Sequence, residues 1–417
     1  MSAERFRPTK IVSIDVTRPL PTIDLTRSDR LSYAGILCLV RSGAHPLMIL
    51  ELEHPGPVIH PADLISAIGS AYSVPPADEP SSPSNERVAV VIATRERADS
   101  LDRCLASLAN QTRKPDEVIV VDNAPTSTAT SDLLASRYRS QVRHVVEPIP
   151  GLGRAHNTGL RHVTSELVLF TDDDVVVDPH WVSAMASPME DDRSVGCVTG
   201  LILPAELETR AQVWTERHGG FGKGLTRRAY DLREHRPEGV LFPFTAGQFG
   251  SGANMAFRVR ALRSMGGFDA ALGAGTLARG GDDLAAFFSI INEGFRLVYQ
   301  PQGVVWHYHR RSEEGMRRQA YSYGMGLGAY LTKIVVDRPH LILRLLAALP
   351  AGVLHMAGPT SQKTRRLPPD YPVRLIWMER LGILAGLSGY IRSRMRCRRG
   401  ERFSLELSGQ DKAERKA

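Results

Sequence analysis

The sequence predicts an α/β chain: a mixed, largely parallel, Rossmann-like sheet flanked by helices, with a small α+β unit before it and a helical, basic extension after it. Three observations carry this. Between residues 88 and 170, apolar strand-like runs alternate with stretches of helical apolar spacing. Polar and acidic residues punctuate the ends of those runs. The composition shifts at 74–86, which is rich in Pro and Ser, and again after about 336. The predicted boundaries are 1–73, a linker at 74–86, an α/β domain at 87–335, and an extension at 336–417.

In the first unit, Leu31–Val40 and Pro46–Glu53 read as two strands joined by the turn Arg41–His45, and Pro61–Ala71 as a short helix. A hairpin plus one helix is at the lower limit of independent stability, so this unit is expected to dock on something larger. After the linker, Val88–Ala93 is the first strand of the α/β domain. Leu101, Leu105 and Leu108 mark a helix over Ser100–Asn110. Glu117–Val121 and Val142–Val146 are further strands, Gly151–His162 a helix, and Leu167–Phe170 the fourth strand. Alternation of this kind builds a parallel sheet, and such sheets bind ligands beyond the carboxyl ends of their strands. Thr94 and Arg95, Asp122 and Asn123, and Asp172–Asp174 fall at those ends.

The Asp172-Asp173-Asp174 triplet follows a strand that reads as buried. Adjacent carboxylates repel, and a hard divalent cation relieves that repulsion while bridging to substrate phosphates. The alternative is a polar turn that caps the next element. A second acidic pair, Asp282-Asp283, follows Gly280-Gly281 and precedes the helical spacing of Leu284, Phe287, Phe288 and Ile291. A helix N-terminus favours ionised carboxylates, and mutual repulsion raises one of the pair, which suits a general base. An N-cap aspartate would satisfy the same position. His307 ends the run Val304–His309, and one helix, a turn at Gly294 and a strand at Phe295–Tyr299 would return it to the same end of the sheet. It is a candidate to complete an oxygen-rich metal site; the alternative is a structural histidine.

The formal net charge is +7, but 361–417 alone sums to +8, so the basicity belongs to the extension. Arg392, Arg394, Arg396, Arg398, Arg399 and Arg402 are its densest part. Amphipathic helices on an anionic membrane surface and helices packed on the catalytic domain are both open readings. No run of 18 uninterrupted apolar residues exists, and the first residues carry no secretory pattern. The four cysteines are scattered without metal-type spacing, which suits a reducing compartment. The expected location is cytoplasmic, peripheral to the inner face of the membrane.

Residues 88–309 resemble the family 2 glycosyltransferases, nucleotide-sugar enzymes of the GT-A fold. The resemblance is ordered: 90–97, 116–123, 151–159, Phe170–Asp174, Gly250–Phe257, Gly266–Asp269, Gly280–Leu284 and Trp306-His307. It implies that Thr94, Arg95 and Asp122 line the nucleotide pocket and that Asp172 and Asp174 form an Asp-x-Asp motif. Asp174 would ligate the metal directly, with Asp172 near the ribose or the metal and Asp173 pointing elsewhere. It further implies Asp283 as general base of an inverting transfer and His307 as second metal ligand. Arg154, Asn254 and Asp282 would contact substrate. Two positions depart from the family pattern: Asp282 stands where Glu is frequent, and His156 where Arg is frequent.

The implied cofactor is Mg2+ or Mn2+, the donor a nucleoside-diphosphate sugar, and the acceptor a hydroxyl compound. Basic C-terminal helices favour a lipid-linked acceptor of cell-envelope or other glycoconjugate synthesis; nucleic acid is not expected as a partner. The irregular stretch 205–250, with Trp214, His218, Phe221, Arg227 and Arg228, is read as a mobile acceptor loop or a variable surface loop. Competing functions are a non-catalytic nucleotide-sugar-binding or membrane scaffold and a sugar nucleotidyltransferase. The latter lacks its glycine-rich phosphate loop here, where the corresponding loop is Ala93–Asp99.

Overall fold

The structure, a computed structural model, describes residues 6, 8–29, 31–69, 86–218, 220–357 and 371–414. The linker assigned to 74–86 lies, apart from Glu86, outside the described residues. The N-terminal unit contains β1 (Lys10–Asp15), β2 (Ile23–Asp24), β3 (Gly35–Ser42), β4 (His45–Glu53), β5 (Val58–Ile59) and α1 (Pro61–Ile68). Strand β3 pairs with β4 as a hairpin and with β1 in parallel. Ile14, Leu25, Cys38 and Leu64 belong to its own small core. A second face packs on the rest of the chain. Leu39 joins Leu201, Leu203 and Val304, and Arg41 pairs with Asp178 at 2.5 Å.

The main sheet has nine strands. In chain order its strands and their connecting helices are β6 (Val88–Thr94), α2 (Ala98–Leu108), β7 (Glu117–Asn123), α3 (Ala129–Arg137), β8 (Arg143–Glu147), α4 (Leu152–His162) and β9 (Leu167–Asp172). There follow β10 (Val175–Val177), α5 (Trp181–Asp191), β11 (Val195–Pro204), α6 (Arg210–Arg217), β12 (Arg228–Tyr230) and β13 (Asn254–Arg258). The last are α7 (Val259–Ser264), α8 (Asp282–Asn292) and β14 (Arg296–His307). The spatial order is β10-β14-β11-β13-β9-β6-β7-β8, with β12 also on β14. The half built from β9, β6, β7 and β8 is parallel, while β13, β10 and β12 run antiparallel to their neighbours. Strand residues alternate between two cores, because successive side chains face opposite sides of a sheet. Val91, Val121, Phe170 and Phe257 pack on one side, and Val90, Val120 and Leu169 on the other.

Two expectations need correction. Phe295–Tyr299 and Val304–His309 are not separate strands: β14 is one strand parallel to β11, with a register shift near Gly200/Leu201 that absorbs Pro301. A proline has no N–H for the ladder, so the irregularity sits where it falls. The stretch 205–250 is not an unstructured loop. Thr209 and Gln212 form a reciprocal capping box that starts α6, and Arg228–Tyr230 pairs with β14.

The C-terminal region is α9 (Glu313–Asp337), α10 (Ile342–Ala357) and α11 (Val373–Glu414). Helices α9 and α11 cross with glycines against backbone: Gly324 and Gly328 face Glu379 and Ile383, and Gly386 faces Met325 and Ala329. A Cβ at Gly386 would lie 2.7 Å from the Ala329 amide nitrogen. Gly386→Val is therefore expected to force the helices apart and destabilise the fold by about 1–3 kcal/mol. A denaturation midpoint equal to that of the unmodified protein would contradict this crossing. No described helix is long and apolar enough to cross a membrane.

Candidate functional site

The acidic residues converge because of strand direction. Strand β9 ends at Asp172, and β14, which runs the same way, ends at His307 on the same edge of the sheet. Strand β10 then turns back along β14 with Val175 opposite His307, which brings Asp174 beside the imidazole. Single ligand atoms of Asp172, Asp174 and His307 lie within 4.8 Å of one another. Two carboxylates and an imidazole suit Mg2+ or Mn2+, and the residues fit such an ion. His307 Nε2 is 3.3 Å from Asp174.

The charges around the triplet differ by position. Burial, then the Asp174 charge, pushes Asp172 up to about 7. Burial also acts to raise Asp174, but its hydrogen bond with His307 and the charges of His307, Arg97 and Arg310 hold it well below the usual range. Asp173 points away from the cluster: it accepts from the Thr94 hydroxyl at 2.7 Å and from Arg97 at 3.0 Å. Arg97 also reaches Asp174 at 3.1 Å. Buried acids at a strand end need a counter-charge, and the helix-start residue Arg97 supplies it. Arg97 ends the 90–97 motif, and nothing in its local sequence marks this role.

A second layer orients His307. Its Nδ1 lies 3.0 Å from His309 Nδ1, and His309 Nε2 lies 3.1 Å from Glu216. When His309 Nε2–H donates to Glu216, His309 Nδ1 accepts from His307 Nδ1–H, and His307 Nε2 faces the acidic cluster, where a metal ion would replace the proton it shares with Asp174. Such supporting partners are worth about 10–100-fold in metal affinity. Glu216→Ala is accordingly expected to weaken Mn2+ binding about tenfold or more by titration calorimetry; unchanged affinity would rule out this role.

Asp282 and Asp283 open α8 after Gly281, whose φ of 84° is left-handed. The Asp283 carboxylate is held at both oxygens, by the Gly252 N–H at 2.9 Å and the Leu284 N–H at 2.8 Å. Burial raises it despite those bonds. Asp282 is more deeply buried, and burial followed by the Asp283 charge pushes it up to about 8. His156 lies 3.7 Å from Asp282, between the rings of Phe170 and Phe268. Burial pushes it down to about 3, so at neutral pH it is an uncharged filler rather than a cation.

These two groups oppose each other in the pH dependence of stability. Between their ordinary values of 3.8 and 6.5, Asp282 binds a proton only in the folded state and His156 only in the unfolded chain. From pH 6.5 to about 8 His156 no longer opposes it, and the Asp282 contribution to stability falls as pH rises. Asp282→Asn should remove that fall, so its Tm should rise relative to the unmodified protein across this window. Parallel Tm–pH curves would contradict it.

One cavity of about 2580 Å3 joins these groups. Thr94, Arg95, Asp172, Asp174, Asp282, Asp283 and His307 line it, as do Phe221, Lys223, Gln319 and Tyr323. Phe221 stacks obliquely near His307, with ring centroids 5.1 Å apart. The face of α9 was not legible as site-forming, because no chemical motif marks it. Asn123 rather than Asp122 lines the cavity; Asp122 is buried beneath it, with one carboxyl oxygen unpartnered and the other 3.8 Å from His144.

Two expected contacts need correction. Asn254 is fully buried, its amide donating to Leu201 and Gly303 carbonyls and its oxygen accepting from Trp181, so it ties strands together and has no atom left for substrate. Arg154 lies on α4 outside the cavity lining, where Leu152 takes its place.

Residues 89–266 match the model of a family described as Glycosyl transferase family 2. The pre-mycofactocin glycosyltransferase of Mycobacterium tuberculosis is 27% identical over 281 residues, covering 67% of this chain and 54% of that protein. The validoxylamine A glucosyltransferase of Streptomyces hygroscopicus subsp. limoneus is 32% identical over 172 residues, 39% of this chain and 33% of that protein. The chain spans about half the length of the first of these relatives. Among solved structures, the mannosyltransferase PcManGT from Pyrobaculum calidifontis, in complex with GDP-Man and Mn2+, is 20% identical. It aligns with a TM-score of 0.45, covering 77% of this chain and 81% of its own.

Proposed function

We propose that the chain, whose residues 89–266 match the model of Glycosyl transferase family 2, is an inverting, metal-dependent glycosyltransferase that moves a sugar from a nucleoside diphosphate to an acceptor hydroxyl. The observation that carries the reading is the placement of Asp283 and of the Asp172, Asp174 and His307 cluster on one cavity, at one edge of the sheet. A divalent cation held by Asp172, Asp174 and His307 would neutralise charge on the departing diphosphate. Thr94 and Arg95, with Asn123 in the place expected of Asp122, form the nucleotide side. The Thr94 hydroxyl proton is committed to Asp173, so its part is to hold the triplet in place.

Asp283 takes the acceptor proton. Its two backbone hydrogen bonds fix the carboxylate plane, and burial keeps it basic enough to accept a proton as the new bond forms. Asp282, protonated at neutral pH, leaves Asp283 as the charged member of the pair and has a proton to donate to a substrate oxygen.

The acceptor in this reading is lipid-linked, of cell-envelope or other glycoconjugate synthesis, and the protein works at the cytoplasmic face of a membrane. Supporting this, Trp377, Leu381, Leu384, Leu387, Ile391 and Met395 make an exposed apolar stripe along α11, each 38–66% accessible. Arg392, Arg396 and Arg399 flank it and are exposed. Apolar stripes with arginine margins suit an anionic interface.

The test is a nucleotide-sugar panel incubated with and without Mn2+ or Mg2+, with water or alkyl glucosides as acceptors. Metal-dependent release of nucleoside diphosphate from one donor is expected. Binding of donors without release from any of them would favour the scaffold reading.

A further inference from the structure

The cavity is larger than a nucleotide sugar requires. Small-ligand sites run to roughly 300–1,000 Å3, against about 2580 Å3 here. The excess includes a lobe that leaves the catalytic centre along a wall of hydrocarbon. Its apolar lining comprises Leu284, adjacent to Asp283, with Phe244, Leu331 and Leu345 of α10 packed in the same cluster, and Leu349 and Leu354 further along that helix. Contacts support its continuity. A Cβ at Gly247 would lie 3.6 Å from Leu284, and one at Gly352 3.8 Å from Leu241, which also lines the lobe. The lobe does not close at its far end. Leu349 and Leu354 are 47% and 60% accessible, and Leu343, Leu346 and Val353 extend the apolar surface of α10 at 52–74%.

We propose that this lobe is the acceptor's hydrocarbon subsite: the acceptor is an amphiphile whose hydroxyl-bearing head meets Asp283 and whose apolar chain lies against α10. The inference rests on the transferase reading of the same cavity. The side chains along this wall offer no hydrogen-bond partners, so a saccharide placed there would lose its bonds to water without replacement, whereas an alkyl or isoprenoid chain gains by leaving water. The distance from Leu345 to Leu354 is about 14 Å of helix, enough for a chain of several carbons. The other arm of the cavity, toward the N-terminal unit, sets Glu51, Glu53, Glu216 and Arg217 among Ile49, Leu52, Leu207 and Val213, so a hydrocarbon chain there would meet ionised groups along its length. The lobe's open end on α10 lets a longer chain continue into a lipid phase.

The test measures binding of butyl, hexyl and octyl glucoside to the full chain by titration calorimetry, below their micelle concentrations. Affinity should tighten by up to about fourfold per methylene, or up to about 250-fold over the four methylenes from butyl to octyl. Two variants should flatten that slope to under threefold: Leu349→Glu with Leu354→Glu, which places charge on accessible positions that the fold tolerates, and Gly352→Leu, which fills the lobe. Ile65→Glu, on the exposed face of α1, should keep the full slope. A flat series in the unmodified protein, or equal slopes in all variants, overturns the subsite. A second copy covering α10 would appear as a dimer in sedimentation that octyl glucoside does not dissociate, which also overturns it. Nucleoside diphosphate release is assayed on the same samples. Release with a flat slope refutes the subsite alone, and a steep slope without release from any donor refutes the transferase reading alone.

Discussion

Asp283→Asn is expected to lower the transfer rate by about 10²–10⁴-fold while leaving donor and Mn2+ affinity within about threefold of the unmodified protein. The reasoning is local. The asparagine oxygen can keep one of the two backbone hydrogen bonds, from Gly252 or Leu284, so the start of α8 stays in place. What is lost is the basic lone pair toward the acceptor. The acid limb of the pH–rate profile should follow the same group: kcat/KM rises with pH as Asp283 loses its proton, and because burial raises that carboxyl, the limb lies above the usual carboxylate range. Retention of full transfer in the asparagine variant would remove Asp283 from the mechanism.

Asp174→Ala should have the largest effect on metal binding. Asp174 is the carboxylate most firmly kept ionised, and it touches His307 directly. Its loss should weaken Mn2+ binding by more than the roughly 10–100-fold typical of losing a supporting residue, with metal-dependent donor binding falling in parallel. The fold should survive, because Arg97 retains Asp173 as a partner at 3.0 Å and Arg310 is substantially exposed. Unchanged Mn2+ affinity with reduced transfer would move the metal elsewhere and leave Asp174 as an electrostatic partner of Arg97.

The acidic parts of this arrangement were legible in the sequence because the chemistry is unusual in local terms. Three carboxylates at a strand end, or two after paired glycines, are costly unless something compensates. The compensating groups were not legible, since Arg97, Glu216 and His309 acquire their partners only through tertiary approach. Asn254 shows the opposite failure. It sits within a family-like motif, yet its amide is spent between β11, β14 and Trp181, which no linear pattern reveals. Pro301 falls between the apolar runs Phe295–Tyr299 and Val304–His309, and the observed irregularity accommodates it within one strand. The helix at Arg210–Arg217 could have been found: Thr209 followed by Gln212 is a capping-box signature in an otherwise irregular stretch. The glycines of α9 and α11 carry no apolar periodicity of their own, so their close crossing emerges only once the two helices are placed together.

The central claim is a single displacement at the sugar, with Asp283 on the acceptor side and the diphosphate held by the Asp172, Asp174 and His307 cluster on the other. The most direct measurement is the anomeric configuration of the first product, read from its anomeric proton coupling by NMR with whichever donor is turned over. The account predicts a configuration opposite to that of the donor. A product that retains the donor's configuration would contradict it.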